Sequence, residues 1–232
     1  MSAAGQSAPP PPPVPPPPCN HVLVSHLQYR KRSRSSPSEA HNTGYILNML
    51  SITYHDLGRS EDALLMAEYA LEFCRRFLPP DHPLIGTSMG NLAMAYSDLA
   101  RYEEAVAMSE SALEFNRRVL PPDHPDLGRD MNNLAVTYRD VGRHEDDLAM
   151  KESALELWGR VHPPTHRDVV ESLLNISACY FMAGQTAKGL ECAREAVARR
   201  QESLPPGHPD TADAERLLFS MEHCVCGLNP KP

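Results

Sequence analysis

"NLAVTYRDVGRHEDDLAMKESAL" occupies residues 133–155. Its first half carries Leu134, Ala135 and Tyr138, its middle a glycine, Gly142, and its second half the pair Ala154-Leu155. Apolar residues spaced by three and four argue for amphipathic helix, and a glycine between two such runs argues for a tight turn. The stretch therefore predicts two helices joined at Gly142. Moved by 42 residues in either direction, the same columns reappear. Tyr54, Tyr96, Tyr138 and Tyr180 form one, and Leu50, Leu92, Leu134 and Ile176 another. Ala70, Ala112, Ala154 and Ala196 form a third, each followed by Leu or Val. Gly58, Ala100, Gly142 and Gly184 mark the turn.

A fixed period of this size is the signature of a solenoid, in which each unit buries its apolar face only against its neighbours. Four units follow: 41–82, 83–124, 125–166 and 167–208. Each contains a helix A, a short turn and a longer helix B. In the second unit helix A is expected over 83–99 and helix B over 102–119. The joint from B to the next A is "LPPDHP" at 78–83 and again at 120–125, worn to "HPPTHR" at 162–167 and "LPPGHP" at 204–209. Proline lacks an N–H and fixes φ, so the pair ends helix B, while Pro83, Pro125 and Pro209 suit a first helical turn. Asp81 or Asp123 is expected to cap the next helix. A last helix over 209–223 reads as a cap, and 227–232 as a tail.

The remainder of the chain is different in kind. "APPPPPVPPPP" (8–18) suits an extended polyproline II rod, and "YRKRSRSSPSE" (29–39) is basic and then serine-rich. Residues 1–40 are expected to form a disordered, proline-rich and basic arm. The rod is a spacer or a ligand for SH3, WW or profilin-type domains.

These columns resemble the tetratricopeptide repeat. The pattern Leu-Ala-x-x-Tyr, then Gly, then Ala-Leu stands in the opening quotation, and the 42-residue length with a proline-histidine joint resembles the kinesin light chain type. The resemblance covers about 41–208. It implies an all-α fold: a right-handed α-solenoid of four helix-turn-helix repeats within 41–226, with a C-terminal capping helix and a disordered arm before it. It also implies a non-enzymatic interaction scaffold or adaptor that holds a peptide or helix in its concave groove. The alternative is a kinesin light chain-like cargo adaptor of a microtubule motor, which would need a heavy-chain-binding coiled coil.

In such repeats the A helices line the concave face, and an asparagine one residue before the core leucine contacts bound peptide. The resemblance carries that role to Asn91, Asn133 and Asn175. The alternative is a structural amide bonding between neighbouring helices. The same register nominates Tyr45, Asn48 and His55 in unit one, Thr87, Met94 and Ser97 in unit two, Arg129, Asn132, Val136 and Arg139 in unit three, and Glu171, Leu174 and Phe181 in unit four. Unit three offers cations, unit four apolar surface. Asn48 and Ile52 fill the slots where chaperone-tail readers carry a lysine and asparagine pair, which disfavours that ligand.

Chemistry has little support. His82, His124, His166 and His208 share one slot, and packed helices stand about 8–10 Å apart. Zinc needs nitrogens about 2 Å from the ion, so these four cannot share one. The tyrosine column reads as packing rather than an aromatic cage. The six cysteines are scattered; the sole close pair, Cys224 and Cys226, lacks further ligands at zinc spacing, and no metal or cofactor is expected. No hydrolase, zinc-protease or phosphate-loop motif is present. The net charge of −8 speaks against a nucleic-acid partner. No signal sequence or membrane span is visible, so a cytoplasmic protein is expected, cytoskeleton-associated on the motor-adaptor reading. Asp147 and Gly189 occupy a slot that is Ala63 and Ala105 in the first two units, which predicts looser packing of units three and four.

Overall fold

The computed structural model describes residues 37–228. Among them are nine helices and no strand: α1 (Pro37–Asp56), α2 (Ser60–Phe77), α3 (Pro83–Asp98), α4 (Tyr102–Val119), α5 (Pro125–Asp140), α6 (His144–Val161), α7 (Arg167–Met182), α8 (Thr186–Ser203) and α9 (Pro209–Leu228). Odd-numbered helices are the A helices and even-numbered ones the B helices. α1 starts at Pro37, ahead of the expected boundary at 41, because Ala40 packs into the first core. Residues 1–36 of the expected arm, the polyproline tract included, lie outside the described residues, as do the 229–232 tail and the side chain of Cys226. α9 continues past the expected end of the cap at 223.

Each helix packs on the next along the chain, A on B within a unit and B on the following A. The A helices α1 and α3 also touch directly, as do α3 and α5, which places these three A helices together on one side of the stack. The alanine column Ala70, Ala112, Ala154 and Ala196 is buried, and its small side chains let helix B approach its partners closely. Ile85, Met89 and Leu92 of α3 join Leu47, Leu71 and Phe73 in one cluster, and Leu127, Met131 and Leu134 of α5 join Leu113, Leu157 and Trp158 in the next. A buried leucine of this kind contributes about 1.5–3 kcal/mol. The third cluster holds only Val170, Leu173 and Ala196, so the core thins toward the C-terminal end.

Both kinds of turn are built alike from unit to unit. At each A–B turn the backbone reverses through a left-handed residue: Gly58 (φ 68°), Ala100 (φ 56°), Gly142 (φ 79°) and Gly184 (φ 74°). The N–H groups of Arg59, Arg101, Arg143 and Gln185 then bond back to the carbonyls of Tyr54, Tyr96, Tyr138 and Tyr180 at 2.8–2.9 Å, the Schellman closure of a helix end. Arg59, Arg101 and Arg143 also lay their guanidinium groups over the rings of Tyr54, Tyr96 and Tyr138 at 4.6, 4.5 and 4.1 Å. Lys188 takes that place over Tyr180. The tyrosine column is thus turn architecture.

At the B–A joints the histidine itself caps the helix. Nδ1 of His82, His124, His166 and His208 accepts the backbone N–H two residues on, at 3.1, 3.2, 3.3 and 3.2 Å. This corrects the expectation of an aspartate cap; Asp123 instead accepts from Arg160 Nε at 3.3 Å. The imidazole must present an unprotonated Nδ1 to do so.

The slot expected to loosen units three and four is filled differently in each. Asp147 is buried and ion-paired with Lys151 at 2.7 Å. Lys151 Nζ also donates to Cys179 Sγ at 3.1 Å. At Gly189 an added Cβ would stand 2.8 Å from the Ser177 carbonyl, so helix α8 lies too close to α7 there for any side chain.

Candidate functional site

The expected groove residues divide by seam. Between α1 and α3 the polar residues are consumed by each other. Asn48 is wholly buried, its amide donating to Gly44 O at 3.1 Å and Ser88 Oγ at 2.9 Å. Asn91 Nδ2 donates to Asn48 Oδ1 at 3.0 Å. Asn48, expected on the open face, is therefore a core clamp holding α1 to α3, and Asn91 takes the structural role that was its alternative.

The same three residue types recur 84 positions on as Asn132, Ser172 and Asn175. There the clamp is open. Asn132 Oδ1 and Ser172 Oγ are buried with no hydrogen-bond partner among the described residues. Asn175 is exposed, as is Asn133. Buried polar atoms without partners cost about 1–3 kcal/mol each, so two at one seam form an unfilled demand.

The cause lies in how the A helices approach. α1–α3 and α3–α5 make direct helix contacts; α5 and α7 make no comparable one. A ladder along the ends of the A helices follows the same division. His55 Nδ1 meets Asp98 Oδ2 at 2.5 Å, and Ser97 Oγ donates to Asp140 Oδ2 at 3.1 Å. The third rung needs an acid at 182 to meet Arg139. Position 182 is a methionine, 78 % exposed, and Arg139 falls back on its neighbour Asp140 at 3.5 Å.

Two clefts open along this seam. One, of about 380 Å³, is lined by Asp126, Arg129, Asn132, Asn133 and Trp158, with Asp168 and Glu171 opposite. The other, of about 280 Å³, is lined by Arg139, Leu148, Lys151, Asn175, Cys179 and Met182 among others. Burial pushes the Cys179 thiol up from its ordinary value, with the Lys151 hydrogen bond opposing. The clefts gather six of the expected residues: Arg129, Asn132, Asn133, Glu171, Arg139 and Asn175. Met94 and Phe181 are half-buried and line neither. Arg129 is held by Asp126 at 3.0 Å. Sequence reasoning missed Trp158, Asp168 and Met182. The signal for Met182 was available: it stands in the column of Asp56, Asp98 and Asp140.

The joint between α6 and α7 holds one more feature of its own. His162 and His166 stack with ring centroids 3.9 Å apart and planes 10° apart, and both face Asp168. No described helix is long and apolar enough to cross a membrane.

The profile described as tetratricopeptide repeat matches residues 46–118, 84–160 and 130–202. No curated protein matches the chain. Among solved structures, the nearly identical TPR-like repeats of a candidate kinesin light chain from Podosopora anserina superpose with a TM-score of 0.72 at 20 % identity, over 83 % of this chain and 90 % of that one. BtubC (BKLC) from P. vanneervenii gives 0.67 at 17 % identity, over 93 % of each chain. The apo form of RapI gives 0.64 at 14 % identity, over 86 % of this chain and 74 % of that one.

Proposed function

Because the chain belongs to the tetratricopeptide-repeat family, we propose that it is a non-enzymatic interaction scaffold or adaptor whose ligand is a peptide or helix seated along the A helices, with its principal anchor at the α5–α7 seam. The observation that carries this reading is the open clamp. Asn132 Oδ1 and Ser172 Oγ are buried and unpartnered, where Asn48, Ser88 and Asn91 close on one another. A backbone N–H of an extended ligand can donate to Asn132 Oδ1, and its carbonyl can accept from the amides of Asn133 or Asn175. Arg139, lacking its acidic rung, offers a cation beside the apolar surface of Met182. The motor-adaptor reading rests on the repeat resemblance alone.

Binders selected from a random peptide library against the purified chain provide the test. Asn132→Ala, Asn133→Ala and Asn175→Ala together remove three amides. Each hydrogen bond is worth about 1 kcal/mol, so the loss in affinity is expected to exceed about tenfold. Peptides that bind this triple variant as well as they bind the native chain refute the seam as the site.

A further inference from the structure

We propose that His162, His166 and Asp168 form a binding site for a divalent transition ion of the zinc class, set in the joint between α6 and α7. The joint is unlike its three counterparts. Where they carry Leu78, Leu120 and Leu204, this one carries His162. Leu78 is buried in the first core. His162 keeps that inward place but brings a polar nitrogen: its Nε2 is buried and has no hydrogen-bond partner among the described residues. A leucine would fill the space without this cost.

The donors are already gathered. One ligand atom from each of the three residues lies within 4.8 Å of the others. His162 Nε2 stands 3.8 Å and His166 Nδ1 3.7 Å from Asp168 Oδ2. Zinc holds imidazole nitrogens and carboxylate oxygens at about 2.0–2.2 Å, so donors around it stand roughly 3–3.5 Å apart. Drawing in takes shifts of under about 1 Å together with a rotation of the stacked rings, whose lone pairs now run side by side. His166 releases the Asp168 N–H that it caps. The dipole of α7 opposes a cation at this end, and the Asp168 carboxylate offsets it. Two imidazoles and a carboxylate suit zinc and neighbouring first-row ions rather than calcium or magnesium, and three protein donors leave a fourth position to water. Such an ion would tie the end of α6 to the start of α7. Asp168 also lines the larger cleft, so the tie reaches the seam.

Zinc titration of the full chain by calorimetry, with imidazole resonances followed by NMR, decides the matter. One equivalent is expected to bind, shifting the signals of His162 and His166 and leaving those of His124 and His208 in place. His162→Leu restores the residue of the other joints and keeps the His166 cap, so it is expected to fold and to bind zinc at least about tenfold more weakly. Asp168→Asn is expected to act the same way, and Cys224→Ser to change nothing. Zinc uptake unaltered in His162→Leu, or no uptake by the native chain at one equivalent, overturns the proposal. The Asn132, Asn133 and Asn175 variant is expected to keep its zinc, so failure of the groove and failure of the ion site are read separately.

Discussion

Alanine in place of Lys151 leaves the Asp147 carboxylate in the interior of unit three with only the Cys179 thiol, 3.4 Å away, beside it. The pair stands 2.7 Å apart with side chains 7 % and 4 % exposed. At an effective dielectric constant of about 20 the attraction is about 6 kcal/mol, and several kcal/mol of desolvation per ion stand against it. Removing either partner alone forfeits the attraction and keeps one desolvation cost, so each single variant is expected to lose about 3–5 kcal/mol. The double variant, Asp147→Ala with Lys151→Ala, is a different matter. Unit one carries Ala63 and Ala67 in these two places, both fully buried, so the fold accepts an alanine pair. The double variant is expected to lose only about 1–2 kcal/mol, chiefly the packing of the lysine stem. The coupling energy is then at least about 4 kcal/mol. Urea unfolding followed by the fluorescence of Trp158 measures it, because this sole tryptophan is buried on the same helix, α6. Two single losses under about 1 kcal/mol, or a double loss equal to their sum, would refute the claim that burial makes this pair interdependent.

Two further outcomes are expected. His82 is held below its ordinary value of 6.5 by burial and then by the nearby His41, with Asp81 opposing; the unfolded chain therefore takes up the proton first. The stability that its cap contributes is fully present above pH 6.5 and is lost as pH falls from there through the lower folded-state value, and His82→Asn, which caps without titrating, is expected to flatten that part of a melting profile against pH. Ala100 sits at φ 56° where the other units carry glycine; Ala100→Gly relieves about 1–2 kcal/mol of left-handed strain against about 0.5–1 kcal/mol of added chain entropy. A net gain of about 0.5–1 kcal/mol in denaturant titration is expected, and a loss would show that the turn is not strained.

The solenoid was legible because its signals repeat. Each column of Leu, Tyr, Ala and Gly states the same register four times, and the helix ends predicted for unit two, 83–99 and 102–119, fall within a residue of α3 and α4. The site was legible only in part. Asn48 and Asn132 are the same residue in the same column, yet one is sealed and the other lies beside an open seam. What separates them is the packing of neighbouring A helices, in direct contact at α1–α3 and without a comparable contact at α5–α7, where Met182 also stands in the acidic column. The histidine column likewise announced a joint, but the ring nitrogen that caps the helix, and the second ring at His162, needed the backbone's path to become visible.

The missing third rung has a mechanical consequence. A stack of turns transmits load from each unit to the next, so its compliance adds up over its joints and the softest joint dominates. Direct A-helix contacts and rungs join the first three units, and no comparable contact follows at α5–α7 or α7–α9. Bending is therefore expected in the C-terminal half, beside the clefts, and the bend angle sets the length of ligand that can touch both halves at once. Small-angle scattering should then register occupancy as a change in curvature of that half rather than as a uniform tightening of the coil.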